Sequence, residues 1–397
     1  MQRIQLIVSA VYPPEPVVSA RLSEDIYISI KSRGLQARVL HPRPSRPSGY
    51  AFSSVERGED EIIPDSFVCA KSSLLGRFLE SISFGIATYK YIKNNHVGIS
   101  SIYANTWPLF SQYYLVKAAK RYHIPCYIHI QDIYPESYCH KLHKVLGKLL
   151  YIILLPIDRY VLNNSKGVIV ISPAMKEYLA QSRRLDESKF TLVRNWQDDK
   201  SFINIYKPID KKKEKLHIMY LGSINPTANV PLIINAFSTL NDQDYRLSII
   251  GNGPEKNSCK KLATDLGLKV SFETVMPEQV PQAQSNADVL VLCLKKGIAN
   301  TATPSKLTAY MLTGRPIIAS VDIDSDCANI IRESKCGIVV EPENEEALRK
   351  AFIEMSTYNL SKLNSMGRQA FEYAKSHLSK ESNLKILVDT LILNNDE

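Results

Sequence analysis

The chain offers little to metal–thiolate, secretory or membrane-spanning readings. Its seven cysteines (Cys69, Cys126, Cys139, Cys259, Cys293, Cys327 and Cys336) include no Cys-x-x-Cys pair and no metal-ligand spacing. An odd, scattered set of this kind speaks against a disulfide framework and reads as reduced, packed thiols. The longest apolar run, Leu149 to Ile157, is far short of the roughly 20 residues a helix needs to cross a bilayer. The start, Met1 to Val8, passes straight into a strand-like run with no charged segment, apolar core or cleavage site. No secretory signal is therefore expected, and the protein is expected to be cytoplasmic, peripheral to a membrane if attached at all. No low-complexity segment or short repeat occurs. No Gly-x-Gly-x-x-Gly follows the first strand of either half, which disfavours a nicotinamide dehydrogenase.

What is present is an ordinary globular composition, 45% hydrophobic and 22% charged, over 397 residues. That length suits two domains of roughly 200 residues. The formal charge of +9 favours an anionic partner without choosing among phosphate ligands, nucleic acid and anionic lipid. Short β-branched runs alternate with amphipathic stretches, the pattern of βαβ units and parallel sheets. Strands are predicted at 4–10, 37–41, 101–104, 126–130, 168–171 and 191–193, with a helix over 19–32 and a long loop over 43–65. A lysine-rich segment, 201–215, reads as a linker, and further strands follow at 217–221, 247–250, 270–273, 289–294, 316–321 and 337–340. The expected organisation is an N-terminal Rossmann-like domain (1–200), a C-terminal one (216–375), and a terminal helix (376–397) returning to the first. Two such domains facing across a cleft place a ligand at the carboxyl ends of their strands.

The most informative stretch follows the strand ending at Leu294. Thr303 reads as an N-cap, Pro304 as the first helical residue, Gly314 as the stop, and Pro316 as the start of the next strand. A helix N-terminus is an anion site, and Ser305 and Lys306 sit in its first turn. A lysine there opposes the helix dipole unless an anion is bound. An ordinary amphipathic helix with a surface lysine is the competing reading. Gly251-Asn252-Gly253 forms a tight turn after a strand. Asp132 lies just past a strand end, and alternation puts His129 and Gln131 on one face.

The segments Pro304-Ser305-Lys306-Leu307, Tyr310-Met311 and Gly314-Arg315-Pro316-Ile317-Ile318-Ala319-Ser320 together resemble the donor-site motif of GT-B glycosyltransferases of family 4. The likeness extends in order through Tyr12-Pro13-Pro14-Glu15, Gln131-Asp132-Ile133-Tyr134-Pro135-Glu136-Ser137, Ile171-Ser172-Pro173, Val193-Arg194-Asn195-Trp196, Gly222 and Gly251-Asn252-Gly253-Pro254-Glu255. It points to the bacterial branch that builds capsule, O-antigen and exopolysaccharide units.

The resemblance implies a nucleotide-sugar donor, UDP-linked, a polyprenyl-diphosphate-linked saccharide acceptor, retention of anomeric configuration, and neither metal nor other cofactor. It implies catalytic roles for Lys306, Asp132 and His129. Donor contacts would come from Ser305, Thr303, Gly251, Asn252, Gly253, Asn300, Thr301, Ser223 and Arg21, and acceptor contacts from Glu15 and Gln131. Two places depart from the family pattern. Ala309 stands where a ribose-binding Glu is usual, and 223–229 carries no Lys or Arg. These departures keep a non-catalytic partner subunit open; a nucleotide-sugar epimerase is the weaker rival. Finally, 140–162 places Leu142, Val145, Leu146, Leu149 and Ile153 on one helical face with Lys141, Lys144 and Lys148 opposite. That is the pattern of a membrane-surface helix, or of a core helix with a solvated lysine face. The segment 74–79 is a second apolar candidate. No nucleic-acid partner is expected.

Overall fold

Runs of Val, Ile and Leu become parallel strands where helices cover both faces of the sheet, since only then is a continuous apolar run buried on either side. Two such sheets organise the computed structural model, which describes residues 3–46, 58–69, 73–105, 108–139, 142–196, 199–210, 214–299 and 305–393. The chain divides into two units, Met1–Asn195 with Asn383–Glu397, and Trp196–Ser382.

In the first unit the strands are β1 (Ile4–Val8), β2 (Ala37–Leu40), β3 (Glu61–Ile62), β4 (Ile99–Asn105), β5 (Cys126–Ile130), β6 (Gly167–Val170) and β7 (Phe190–Leu192). They lie in the order β3-β2-β1-β4-β5-β6-β7, all parallel. The helices are α1 (Val18–Ser32), α2 (Leu74–Asn95), α3 (Leu109–Arg121), α4 (Glu136–Cys139), α5 (Lys144–Asn164) and α6 (Pro173–Arg183). Within 43–65, read as a loop, the structure places β3, which pairs Val39 with Glu61 and Leu40 with Ile62. Two residues are too few to show a period in sequence.

In the second unit the strands are β8 (Leu216–Leu221), β9 (Tyr245–Ile250), β10 (Val270–Glu273), β11 (Val289–Cys293), β12 (Ile317–Ser320) and β13 (Gly337–Val340). Their order is β10-β9-β8-β11-β12-β13, again parallel. Its helices are α7 (Lys200–Ile205), α8 (Val230–Ser238), α9 (Lys256–Asp265), α10 (Val280–Ser285), α11 (Ser305–Leu312), α12 (Asp326–Glu333), α13 (Glu345–Thr357) and α14 (Leu360–His377). The last helix, α15 (Lys380–Leu393), starts in this unit and belongs to the first from Asn383 onward.

Alternation along β8 sends Ile218 and Tyr220 into one apolar layer and Met219 and Leu221 into the other. In each unit the sheet is built outward from a central pair, β1 and β4 or β8 and β11, and at that pair the direction of winding reverses. In sheets wound this way, ligands bind at the carboxyl ends of the two central strands.

Candidate functional site

Two glycine turns and the start of a helix meet at the reversal point of the second sheet. The Gly222 N–H donates to the Ile250 carbonyl at 2.9 Å, the Ile224 N–H to Asn252 O at 2.9 Å, and the Gly251 N–H to Glu273 O at 3.0 Å. The first two bonds press the turn after β9 against the turn after β8, and the third ties it to the end of β10. A Cβ at Gly251 would collide with the Gly222 carbonyl, and one at Gly253 with the Ile224 carbonyl. With φ of +153° and +152°, both positions also lie where an L side chain is strained.

Beside these turns lies α11. Its register is fixed by Tyr310, whose hydroxyl accepts from the Leu221 N–H (2.9 Å) and donates to the Leu221 carbonyl (2.8 Å). Gly314, at φ +66°, ends the helix with its N–H on Met311 O, as the helix-stop signal predicts. Lys306, one residue into the first turn, folds back over the end of β8. Its Nζ donates to the Tyr220 hydroxyl at 2.6 Å and lies 4.7 Å from the Tyr220 ring centroid. The Tyr220 hydroxyl in turn donates to the Ser223 carbonyl at 2.6 Å. A Cβ at Gly222 would strike the Lys306 side chain, so glycine there leaves the ammonium its seat.

Among the described residues Lys306 has no ion-pair partner, and burial lowers its ammonium to about 8. A poorly solvated cation at a helix N-terminus raises the local positive potential, and the group that offsets it best is an anion.

Of the other expected donor contacts, Ser223 and Asn252 are exposed beside this cluster and Gly251 and Gly253 form it. Ser305 opens α11. Thr303, Asn300 and Thr301 lie outside the described residues. Arg21 belongs to the first unit, exposed on α1.

Asp132 is exposed immediately after β5. Gln131 accepts from the Ser19 hydroxyl at 2.7 Å, tying this segment to α1. His129 is fully buried on β5, its Nδ1 2.8 Å from the Tyr103 hydroxyl. Burial lowers the ring to about 3, so it stays neutral in the sheet, and proton transfer with a substrate does not fit that place. Glu15 is also buried. Its carboxylate accepts from the Tyr12, Ser45 and Arg46 N–H groups, which fits a staple between two loops better than a contact with an acceptor. Sequence reasoning passed over Tyr220, although its place two residues before Gly222 could have flagged it.

On α5 the lysines do not oppose the apolar stripe, as the helical period suggested. Val145, Leu146, Leu149, Ile152 and Ile153 are 49–73% exposed, and Lys144 and Lys148 share that solvent side. The core side is Gly147, Leu154, Asp158, Val161 and Leu162. Residues 140 and 141 lie outside the described residues. No helix among those described is long and apolar enough to cross a membrane.

Two family models match consecutive stretches of the chain: Glycosyltransferase Family 4 over 24–200 and Glycosyl transferases group 1 over 201–373. The chain belongs to the family 4 glycosyltransferases.

A Pseudomonas aeruginosa member named "Probable glycosyltransferase WbjE" is 22% identical over 61% of this chain and 62% of its own length. The Escherichia coli K12 protein named "Putative colanic acid biosynthesis glycosyl transferase WcaI" is 28% identical over 46% of this chain and 44% of its own. The matches thus span under two thirds of these relatives. The crystal structure of Anabaena HepE in complex with UDP shares the fold, at TM-score 0.60 and 15% identity over 98% of this chain and 99% of that one. The fold of both units is that of the GT-B members.

Proposed function

We propose that this protein moves a sugar from a nucleoside-diphosphate sugar, UDP-linked, to a polyprenyl-diphosphate-linked saccharide in surface polysaccharide synthesis. Lys306 carries the reading: a half-buried ammonium with no carboxylate partner among the described residues, at a helix N-terminus, on the reversal point of a parallel sheet. Polysaccharide synthesis is supported by the name of WcaI, and UDP by the HepE complex.

In this reading the donor diphosphate sits against the α11 N-terminus, with the glycine turns 222 and 251–253 admitting it closely. Charge on the leaving diphosphate grows as the glycosidic bond breaks. Lys306 and the helix dipole neutralise it where the field is least screened, so they stabilise the transition state more than the ground state. Asp132, exposed at the carboxyl edge of the first sheet, is assigned to the acceptor or the sugar. The motif resemblance supports retention, and no metal is invoked. The sugar is a hexose or an N-acetylated hexosamine.

The solvent-facing stripe of α5 with Lys144 and Lys148 fits an anionic lipid surface, where lysines reach the headgroups and apolar side chains enter the interface. A lipid-linked acceptor would be met there.

A second reading, a subunit that binds nucleotide without transferring, draws on Ala309 and on the absence of Lys and Arg over 223–229. A panel of nucleotide sugars in a thermal-shift assay, followed by transfer to a lipid-linked acceptor, separates the two. Stabilisation with transfer supports the enzyme, stabilisation alone supports the subunit, and no stabilisation by any nucleotide sugar refutes both.

A further inference from the structure

The segment bearing Asp132 is tied to α1 at Gln131, and at its other end it is gripped by Arg183, the last residue of α6, whose side chain is fully buried. All five guanidinium N–H groups are used. Nη1 and Nη2 grip the two Glu136 oxygens at 2.6 and 2.7 Å, Nη2 also reaches the Tyr134 carbonyl at 2.8 Å, and Nη1 the Ser182 hydroxyl at 3.0 Å. Nε donates to Asp158 of α5 at 2.7 Å. The Tyr178 hydroxyl adds a bond to Glu136 at 2.7 Å. At a second point α4 lies so close to α5 that a Cβ on Gly147 would meet the Cys139 carbonyl.

We infer that Arg183 and Glu136 are positioning residues: they fix the segment 131–137, and with it Asp132, against α5 and α6. The inference rests on the acceptor role proposed for Asp132. A bidentate fork on a carboxylate has one geometry, and with Nε and a backbone carbonyl also engaged, the guanidinium leaves the segment little freedom. Asp132 thereby keeps a constant position relative to α5, the helix that presents the apolar stripe, so a saccharide whose lipid lies under α5 would meet the same carboxylate each time.

The test compares the full-length wild type with Arg183→Lys, which keeps the charge and loses the fork, and with Tyr178→Phe, which removes one bond to Glu136. Amide hydrogen exchange over 131–139 and separate KM values for donor and acceptor are measured well below each variant's Tm. Arg183→Lys is expected to speed exchange in that segment and to raise acceptor KM or lower kcat by about 10–100-fold, with donor KM within about twofold. Tyr178→Phe is expected to move the same quantities less. Unchanged exchange over 131–139, or parallel changes in the two KM values, overturns the inference. If Arg183→Lys does not fold, Glu136→Gln takes its place with the same expected pattern. If the wild type transfers no sugar, the proposed function fails, and exchange alone then decides the clamp.

Discussion

Replacing Lys306 with Met keeps most of the side chain's volume and removes its charge, and the structure sets the sign of two separate consequences. In the unliganded protein the ammonium is a cost. Its pKa falls from the ordinary 10.5 to about 8 because burial disfavours the charged form, which at about 1.4 kcal/mol per tenfold is about 3 kcal/mol at full strength. With part of the side chain in solvent, about 1–2 kcal/mol is the realistic share. The unfolded chain holds this proton up to a pH near 10.5 and the folded one only to about 8. The penalty is therefore fully present below pH 8 and disappears as the pH rises from 8 to 10.5. In the complex the same charge is a gain. A charge-assisted hydrogen bond to a diphosphate contributes about 1.5–3 kcal/mol, or about 10–150-fold in Kd.

Lys306→Met is thus expected to unfold at a higher Tm than wild type at pH 7 and to bind UDP and the UDP-sugars at least about tenfold more weakly. The gap in stability should close between pH 8 and 10.5, and UDP should bind wild type more weakly at pH 9.5 than at pH 7. Calorimetric titration and urea unfolding at both pH values supply the readouts. A variant that binds UDP within about twofold of wild type would remove Lys306 from the site. A variant less stable than wild type at pH 7 would show that the ammonium is there for packing.

Gly222→Ala places a methyl group on the Lys306 side chain at φ +158°; loss of UDP binding with retained far-UV circular dichroism is expected, and normal binding would mean that the lysine has another seat. Changing Leu149 and Ile153 together to Glu touches only exposed positions, so stability should move by less than about 1 kcal/mol, while sedimentation with anionic vesicles is lost. Equal sedimentation of wild type and variant would end the membrane role of α5. Asp158 is one of two carboxylates on a single arginine, and burial raises it to about 6. Its ionisation costs stability that is absent below about pH 3.8 and complete above about 6. Asp158→Asn, keeping an acceptor for Nε, should be at least as stable as wild type at pH 8 and lose that advantage toward pH 4. A loss of more than about 2 kcal/mol at pH 8 in urea unfolding would refute this.

Much of the second unit's site was legible because its signals are local. A helix stop at Gly314, a lysine against the dipole and a Gly-x-Gly turn each act within a few residues, and all three belong to the cluster seen in space. Tyr220 was missed because a tyrosine in an apolar strand is indistinguishable from core until its hydroxyl is placed between Lys306 and Ser223. His129 and Glu15, which the resemblance implied as substrate contacts, lie deeper than a substrate contact would, because depth is set by what surrounds a position: His129 is closed within the sheet beside Tyr103, and Glu15 is held by the 45–46 backbone. Arg183 meets Glu136 across 47 residues and Asp158 across 25, and no spacing rule links those positions.

The helix α5 shows most plainly what a periodic pattern leaves open. Period gives a stripe and not the side on which the core lies; that choice is made by the neighbours. Here the neighbours require a glycine at 147 to admit the Cys139 carbonyl and an acid at 158 to hold Arg183. Both requirements fall on the same side, the side that also buries Leu154, Val161 and Leu162. Turning the helix over to bury Val145, Leu149 and Ile153 would recover about 1.5–3 kcal/mol for each side chain. It would also expose Leu154, Val161 and Leu162, which cancels that gain, take Asp158 away from Arg183, a loss of about 3–5 kcal/mol for a broken buried pair, and drive α4 off the helix. The clamp therefore fixes the orientation of α5, and an outward apolar stripe follows from it.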